Sequence, residues 1–482
     1  MTNQEPDLRK YAKLLEGAFD ELHAAVIKTL DDTRWSFGTH HDYPTMGMTE
    51  SGFPYFSEVG FYNEKARKDY VGVFRPRSLA GLLMSERLQE NFPAGAELIE
   101  FLKSNELGKK FQLEEPYSES YVDRMVGDCV ERYFQLYGTG PVQKRKRQDI
   151  LKLAFFGTVE DSLEVRLVVP IALTHFQVDR YRLNETTYIA RIPRATQLSR
   201  SRIGSRGSGA ERGVVSAATH AFVSNGWSIP NKSLQNVRNG LNEPSGDALD
   251  TVDRFMASLR AATGAVTGYA QVLFLPRGWA TEFYCDLPSV YGANCRRYPN
   301  SFDNYGWSGG GQSAITRTQL DDVKRIYNRI LERREERVLI ALKRLNACMT
   351  RDDAVDAILD ATIGIEVLLG DKENQALSYK LRIRAGALAS LSGSMKPTDV
   401  SAAVKNIYDV RSRIVHGLDA KKSKKQLLAP EDERYASERK AAADMLRFLI
   451  DVLLEFPQYL DPLKIDRELI LGPRTQPGGN GG

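Results

Sequence analysis

Few residues in this 482-residue chain combine proton transfer with phosphate binding at a fixed spacing. Of six histidines, only His416 lies beyond His220. It closes the run Tyr408-Asp409-Val410-Arg411-Ser412-Arg413-Ile414-Val415-His416-Gly417. An imidazole with a reference pKa of ~6.5 exchanges protons near neutrality. Arg411 and Arg413 carry planar guanidinium forks that stay charged and suit phosphate. On a helix, Ser412 and His416 are i,i+4 neighbours, so the hydroxyl can orient the ring. Arg411 stands ~140° round the helix from His416, at ~100° per residue. It must reach back with its long side chain or face a neighbouring subunit. Arg411, Ser412 and His416 are therefore suited to proton transfer and phosphate binding at one helix end; a metal-free reaction at phosphorus would need a base, an acid and a fixed cation. One histidine supplies one proton transfer. The second would come from another chain, a distant N-terminal histidine or a different residue type.

The spacing alone is not specific, because 42 arginines and six histidines produce it by chance: Arg34 precedes His40 and His41 in the same way. That segment has no helical period, whereas Arg411–His416 ends an amphipathic stretch. The elements around it are predicted as five helices, at 317–349, 353–369, 375–391, 398–415 and 436–454. Thr398 or Asp399 caps the fourth after Pro397, and Gly417 stops it. Short links between these helices predict an all-α bundle over 311–465. Glu366 falls inside an apolar stretch and reads as a buried charge paired with Arg411 or Arg384. Arg384 and Tyr408 read as structural support. Lys421, Lys422, Lys424 and Lys425 form a basic link just past the motif, either a polyanion contact or a solvated loop.

The run Ile407–Gly417 resembles the signature of HEPN domains, specifically the Apea-like HEPN group of prokaryotic defence proteins. Ala361-Thr362-Ile363-Gly364-Ile365-Glu366-Val367-Leu368-Leu369 and Tyr379-Lys380-Leu381-Arg382-Ile383-Arg384-Ala385 are similar to the same group. The resemblance covers residues 317–456, about a third of the chain. Many HEPN members carry Asn, Asp or His after the arginine, where this chain has Ser412, as is common in the Apea-like group. The resemblance implies a metal-independent endoribonuclease that leaves a 2′,3′-cyclic phosphate, with Arg411, Ser412 and His416 catalytic. Arg413 and the four lysines would hold RNA. It also implies a homodimer with a composite site and a toxic effector role in abortive infection, with tRNA a possible target and a phage-derived trigger. The competing expectation is an inactive HEPN bundle serving dimerisation or RNA binding. No cofactor is expected, and the sequence holds no HExxH or Cys/His cluster for a metal.

The first 310 residues resemble nothing so specific. They read as a helical or mixed unit at 1–147 and a β-rich mixed unit at 148–310, together a sensor or regulator, which makes the whole chain α+β. Helices are predicted at 8–30, 78–104, 117–137 and 245–262, and strands at 164–169, 186–190 and 269–275. Lys144-Arg145-Lys146-Arg147 reads as a solvated face. The stretch 191–213, with six Arg against one Glu, reads as an exposed loop, either a solubilising connection or one that tracks phosphates. Gly306-Trp307-Ser308-Gly309-Gly310 matches GxSxG but follows polar turn residues rather than a strand, so it reads as a loop. His40-His41-Asp42 reads likewise. The tail from 470 to 482 is of disordered composition. The formal net charge is +4, and 42% of residues are hydrophobic. No apolar run nears the ~18 residues of a membrane span. Four scattered cysteines and a start without a signal-peptide pattern predict a cytoplasmic protein.

Overall fold

The computed structural model describes residues 7–32, 43–57, 92–114, 118–204, 209–309, 314–373, 375–416 and 431–472. The N-terminal unit is helical. In α1 (Leu8–Asp32), Tyr11, Leu15, Phe19, Leu22 and Val26 recur at helical spacing and are buried. They pack against α2 (Pro93–Lys103), α3 (Glu119–Tyr137) and α4 (Lys144–Val159). A hairpin of β1 (Thr45–Met48) and β2 (Pro54–Ser57) lies between α1 and α2 in the chain. Helix α4 runs through position 147, and its Ile150, Leu151 and Ala154 belong to the N-terminal core. Arg147 is not on a solvated face: it is 8% exposed, paired with Glu16 at 2.7 Å and also with Asp20.

A six-stranded antiparallel sheet follows. Its strands are β3 (Ser162–Ala172), β4 (Arg180–Arg182), β5 (Thr187–Arg191), β6 (His220–Pro230), β7 (Gly268–Pro276) and β8 (Tyr291–Arg297), in the order β4-β5-β6-β3-β7-β8. Alternation along β3 sends Leu163, Val165, Leu167, Val169 and Ile171 to one face and Val168 and Ala172 to the other. The first face packs on the helix Gly246–Thr263 described below. The second is covered by α5 (Arg194–Arg200) and α6 (Arg212–Ser216).

Residues 191–204 and 209–213 of the arginine-rich stretch are thus the end of β5, α5 and the entry to α6 rather than one exposed loop. Arg200 at its centre has no accessible surface. It donates to Gln197 at 2.7 Å, Gln271 at 2.8 Å and the carbonyls of Val215, Ser216 and Ala218. Five N–H donors find five acceptors, which is how an arginine survives burial here without a carboxylate.

Helix α7 (Gly246–Thr263) covers the sheet, and α8 (Arg317–Arg333) lies along it. The single helix expected over 317–349 is two. Arg334 turns left-handed at φ 43° and Glu335 is extended, after which α9 (Glu336–Thr350) begins. The physical reason is in the sequence: Arg333-Arg334-Glu335-Glu336 offers nothing apolar to bury, and the stripe before it serves two cores whereas the stripe after it serves one. Leu320, Val323 and Tyr327 of α8 enter the sheet core, whereas its Ile326 and Ile330 join the core beyond. That second core is formed by α9, α10 (Ala354–Leu369), α11 (Leu377–Ser392), α12 (Pro397–Val415) and α13 (Glu431–Glu455). The chain is therefore α+β: a helical unit, a sheet with helices on both faces, and a helical bundle.

Candidate functional site

The α11/α12 hairpin carries the residues singled out by their chemistry. Pro397 at the first turn and a left-handed Gly393 frame the link between the two helices. They approach closely at Gly386, where an added Cβ would stand 3.0 Å from the Pro397 carbonyl and 3.5 Å from Ser401 Cβ. Both helices rise ~1.5 Å per residue in opposite directions. Seven residues from Gly386 back to Tyr379 therefore match seven from Ser401 on to Tyr408. At ~100° per residue, Tyr379 lies within ~20° of Gly386 around α11, and Tyr408 and Ser412 lie within ~20° of Ser401 around α12. The hairpin thus carries Tyr379 at the level of Tyr408, with Ser412 and His416 further along α12.

His416 closes α12, its N–H donating to the Ser412 carbonyl at 3.0 Å, and its side chain is exposed. Ser412 and Arg411 are half-buried, and Arg413 is exposed. The Arg411 guanidinium stands 5.5 Å from the centre of the Tyr408 ring and forms no ion pair among the described residues. Burial, then the charge of Glu366 and a hydrogen bond to it, push the Tyr408 phenol up, against the lowering influence of Arg411. One Glu366 oxygen, Oε1, is buried without a hydrogen-bond partner. Arg411, Ser412, Arg413 and His416 therefore share one helix end, with Tyr408 and Glu366 behind them.

Arg384 stands apart from this group. It is 1% exposed, and its Nη2 lies 2.6 Å from both Asp371 and Asp466, with Nε 2.8 Å from Asp466 and Nη1 2.7 Å from the Leu369 carbonyl. Its partners are these two aspartates, not Glu366. The same hydrogen bond, from Arg384, holds the Asp371 carboxyl down at about 2. The triad ties α11 to the segment after α13. Lys421, Lys422, Lys424, Lys425 and Gly417 lie outside the described residues, as do Arg34, His40, His41 and Asp42. Residues 305–309 form a turn around the buried Trp307, and no strand leads into Ser308.

Tyr379 and Arg382 gain a place at the site only through the hairpin. Arg382 lies 5.2 Å from the Tyr379 ring centre, and Tyr379 is 58% exposed. Tyr-x-x-Arg recurs at 379–382 and 408–411, but also at 121–124 and 188–191, so no sequence signal singles Tyr379 and Arg382 out. Among the described residues, no group of three or more His, Cys, Asp or Glu side chains could hold a metal ion, and no helix is long and apolar enough to cross a membrane. Comparison with protein-family models, curated proteins and solved structures finds no match to the chain.

Proposed function

We propose that the chain is a metal-independent endoribonuclease of the HEPN type, acting through Arg411, Ser412 and His416. The observation that carries this reading is an exposed imidazole, a hydroxyl one turn behind it and a guanidinium without a carboxylate partner among the described residues, all on one helix end of a bundle. In the reaction, the ribose 2′-oxygen bonds to phosphorus as its proton passes to a base. The P–O5′ bond breaks as the leaving oxygen gains a proton from an acid, giving a 2′,3′-cyclic phosphate and a 5′-hydroxyl. His416 supplies one transfer, and the guanidinium balances charge on the phosphoryl oxygens. A homodimer pairing α12 with its symmetry mate brings in a second His416 for the other transfer. The N-terminal and sheet units then restrain or trigger the bundle, in a cytoplasmic effector of abortive infection that cleaves tRNA or other host RNA when phage infection activates it.

The test is RNA cleavage by purified protein. His416→Ala should abolish it and EDTA should leave it unchanged, with a 2′,3′-cyclic phosphate end on the product. Cleavage that survives His416→Ala rules the reading out. RNA left intact by protein that binds it supports the alternative of a non-catalytic bundle.

A further inference from the structure

Two Tyr-x-x-Arg quartets, Tyr379–Arg382 on α11 and Tyr408–Arg411 on α12, stand at about the same level of the hairpin. In each, the guanidinium lies over the ring three residues before it, at 5.2 Å and 5.5 Å. Neither arginine forms an ion pair among the described residues, and Arg382 Nε is buried without a hydrogen-bond partner. Tyr379 is the more open of the two, with one ring face under Arg382 and over half of its surface in solvent.

We propose that Tyr379 is a stacking platform for a nucleobase of single-stranded RNA, with Arg382 holding the neighbouring phosphate and Arg411 left to the scissile one. The chemistry is that of sequence-tolerant single-strand binding, in which an aromatic face takes a base and unpaired cations track the backbone. Position along the hairpin fits this use. Tyr379 is level with Tyr408, eight residues and about 12 Å along the helix from His416. A strand with its scissile phosphate at His416 reaches Tyr379 within a few nucleotides. An acidic protein segment would engage the two arginines equally well but would make no use of an open ring.

This inference deepens the ribonuclease reading and rests on it for the identity of the strand, but it is measured separately, by binding. The protein is full-length His416→Ala, the probe an end-labelled single-stranded RNA of about 12 nucleotides, and the readout fluorescence anisotropy at fixed salt. Tyr379→Ala should weaken binding about tenfold, Tyr379→Phe should stay within twofold of the parent, and Arg382→Gln should flatten the salt dependence. Tyr379 is exposed, so its loss does not threaten the fold, and circular dichroism checks this. Equal affinity of Tyr379→Ala and its parent overturns the proposal, as does a parent that does not bind the RNA. A cleavage result with His416→Ala bears on the catalytic reading alone and leaves the Tyr379 comparison intact.

Discussion

Arg384→Met tests how the hairpin is held. The substitution removes a guanidinium that is 1% exposed and makes four hydrogen bonds, three of them to Asp371 and Asp466. Removing one partner of a buried ion pair costs about 3–5 kcal/mol, because the groups left behind stay desolvated. Asp466 retains some water, with 32% of its side chain accessible, which favours the lower end, about 3 kcal/mol. Hydrogen exchange of the 377–392 peptide in the full chain reads this locally, and at ~1.4 kcal/mol per tenfold the loss is about 150-fold faster exchange. A second reading comes from acid. The Asp371 carboxyl is held at about 2 in the fold and titrates near ~3.9 when unfolded. Its contribution is therefore complete above ~3.9 and disappears as pH falls through about 2. Linkage bounds it at about 2.5 kcal/mol, and solvent screening at the bundle surface leaves about 1–2. The variant should lack this slope. Exchange within threefold of the parent, with the acid slope intact, would refute the account of the triad.

Three further outcomes are expected. His220 is buried, its ring nitrogens bonded to Thr219 and the Val178 carbonyl, and burial pulls it down to about 4. The neutral ring is thus favoured in the fold, so stability is full above ~6.5 and falls by up to about 3 kcal/mol as pH drops towards 4, a loss that His220→Gln should remove in thermal melts across that range. Arg200→Met strands the acceptors now served by five N–H groups, and should lower stability by about 2–4 kcal/mol in urea titrations; an unchanged midpoint would contradict the hydrogen-bond tally. Arg411→Lys keeps the charge but loses the fork, so single-turnover RNA cleavage should slow at least tenfold with little change in oligomeric state; full activity would show that charge alone suffices.

Segments whose side chains repeat with one period were legible in the sequence. The stripe of α1, the β-branched run of β3 and the capped, proline-started α12 stand close to where they were expected. Segments whose burial is set by distant partners were not. β6 carries Ser224, Asn225 and Ser228 among its apolar residues, and β8 bends through Gly292 at φ 139°, so neither shows clean alternation. Arg200 looked like a solvent residue because its acceptors are carbonyls up to 18 positions away and Gln271. Helix 317–349 read as continuous because both halves are amphipathic, although the first is shared between two cores and the second belongs to one. At the site, Arg411, Ser412 and His416 were visible as neighbours on one helix. Tyr379 was not, since its place level with Tyr408 follows from the close approach at Gly386.

Helix α8 gives Leu320, Val323 and Tyr327 to the sheet and Ile326 and Ile330 to the bundle, and this governs where the chain can be cut. Starting a fragment at Glu336 strips the bundle of four core side chains, Ala257, Ala261, Ile326 and Ile330, while starting at Arg317 still loses the two alanines and bares three others meant for the sheet. Either excised piece would carry a sticky, half-finished surface, so any loss of activity in a truncated clone would report on solubility first.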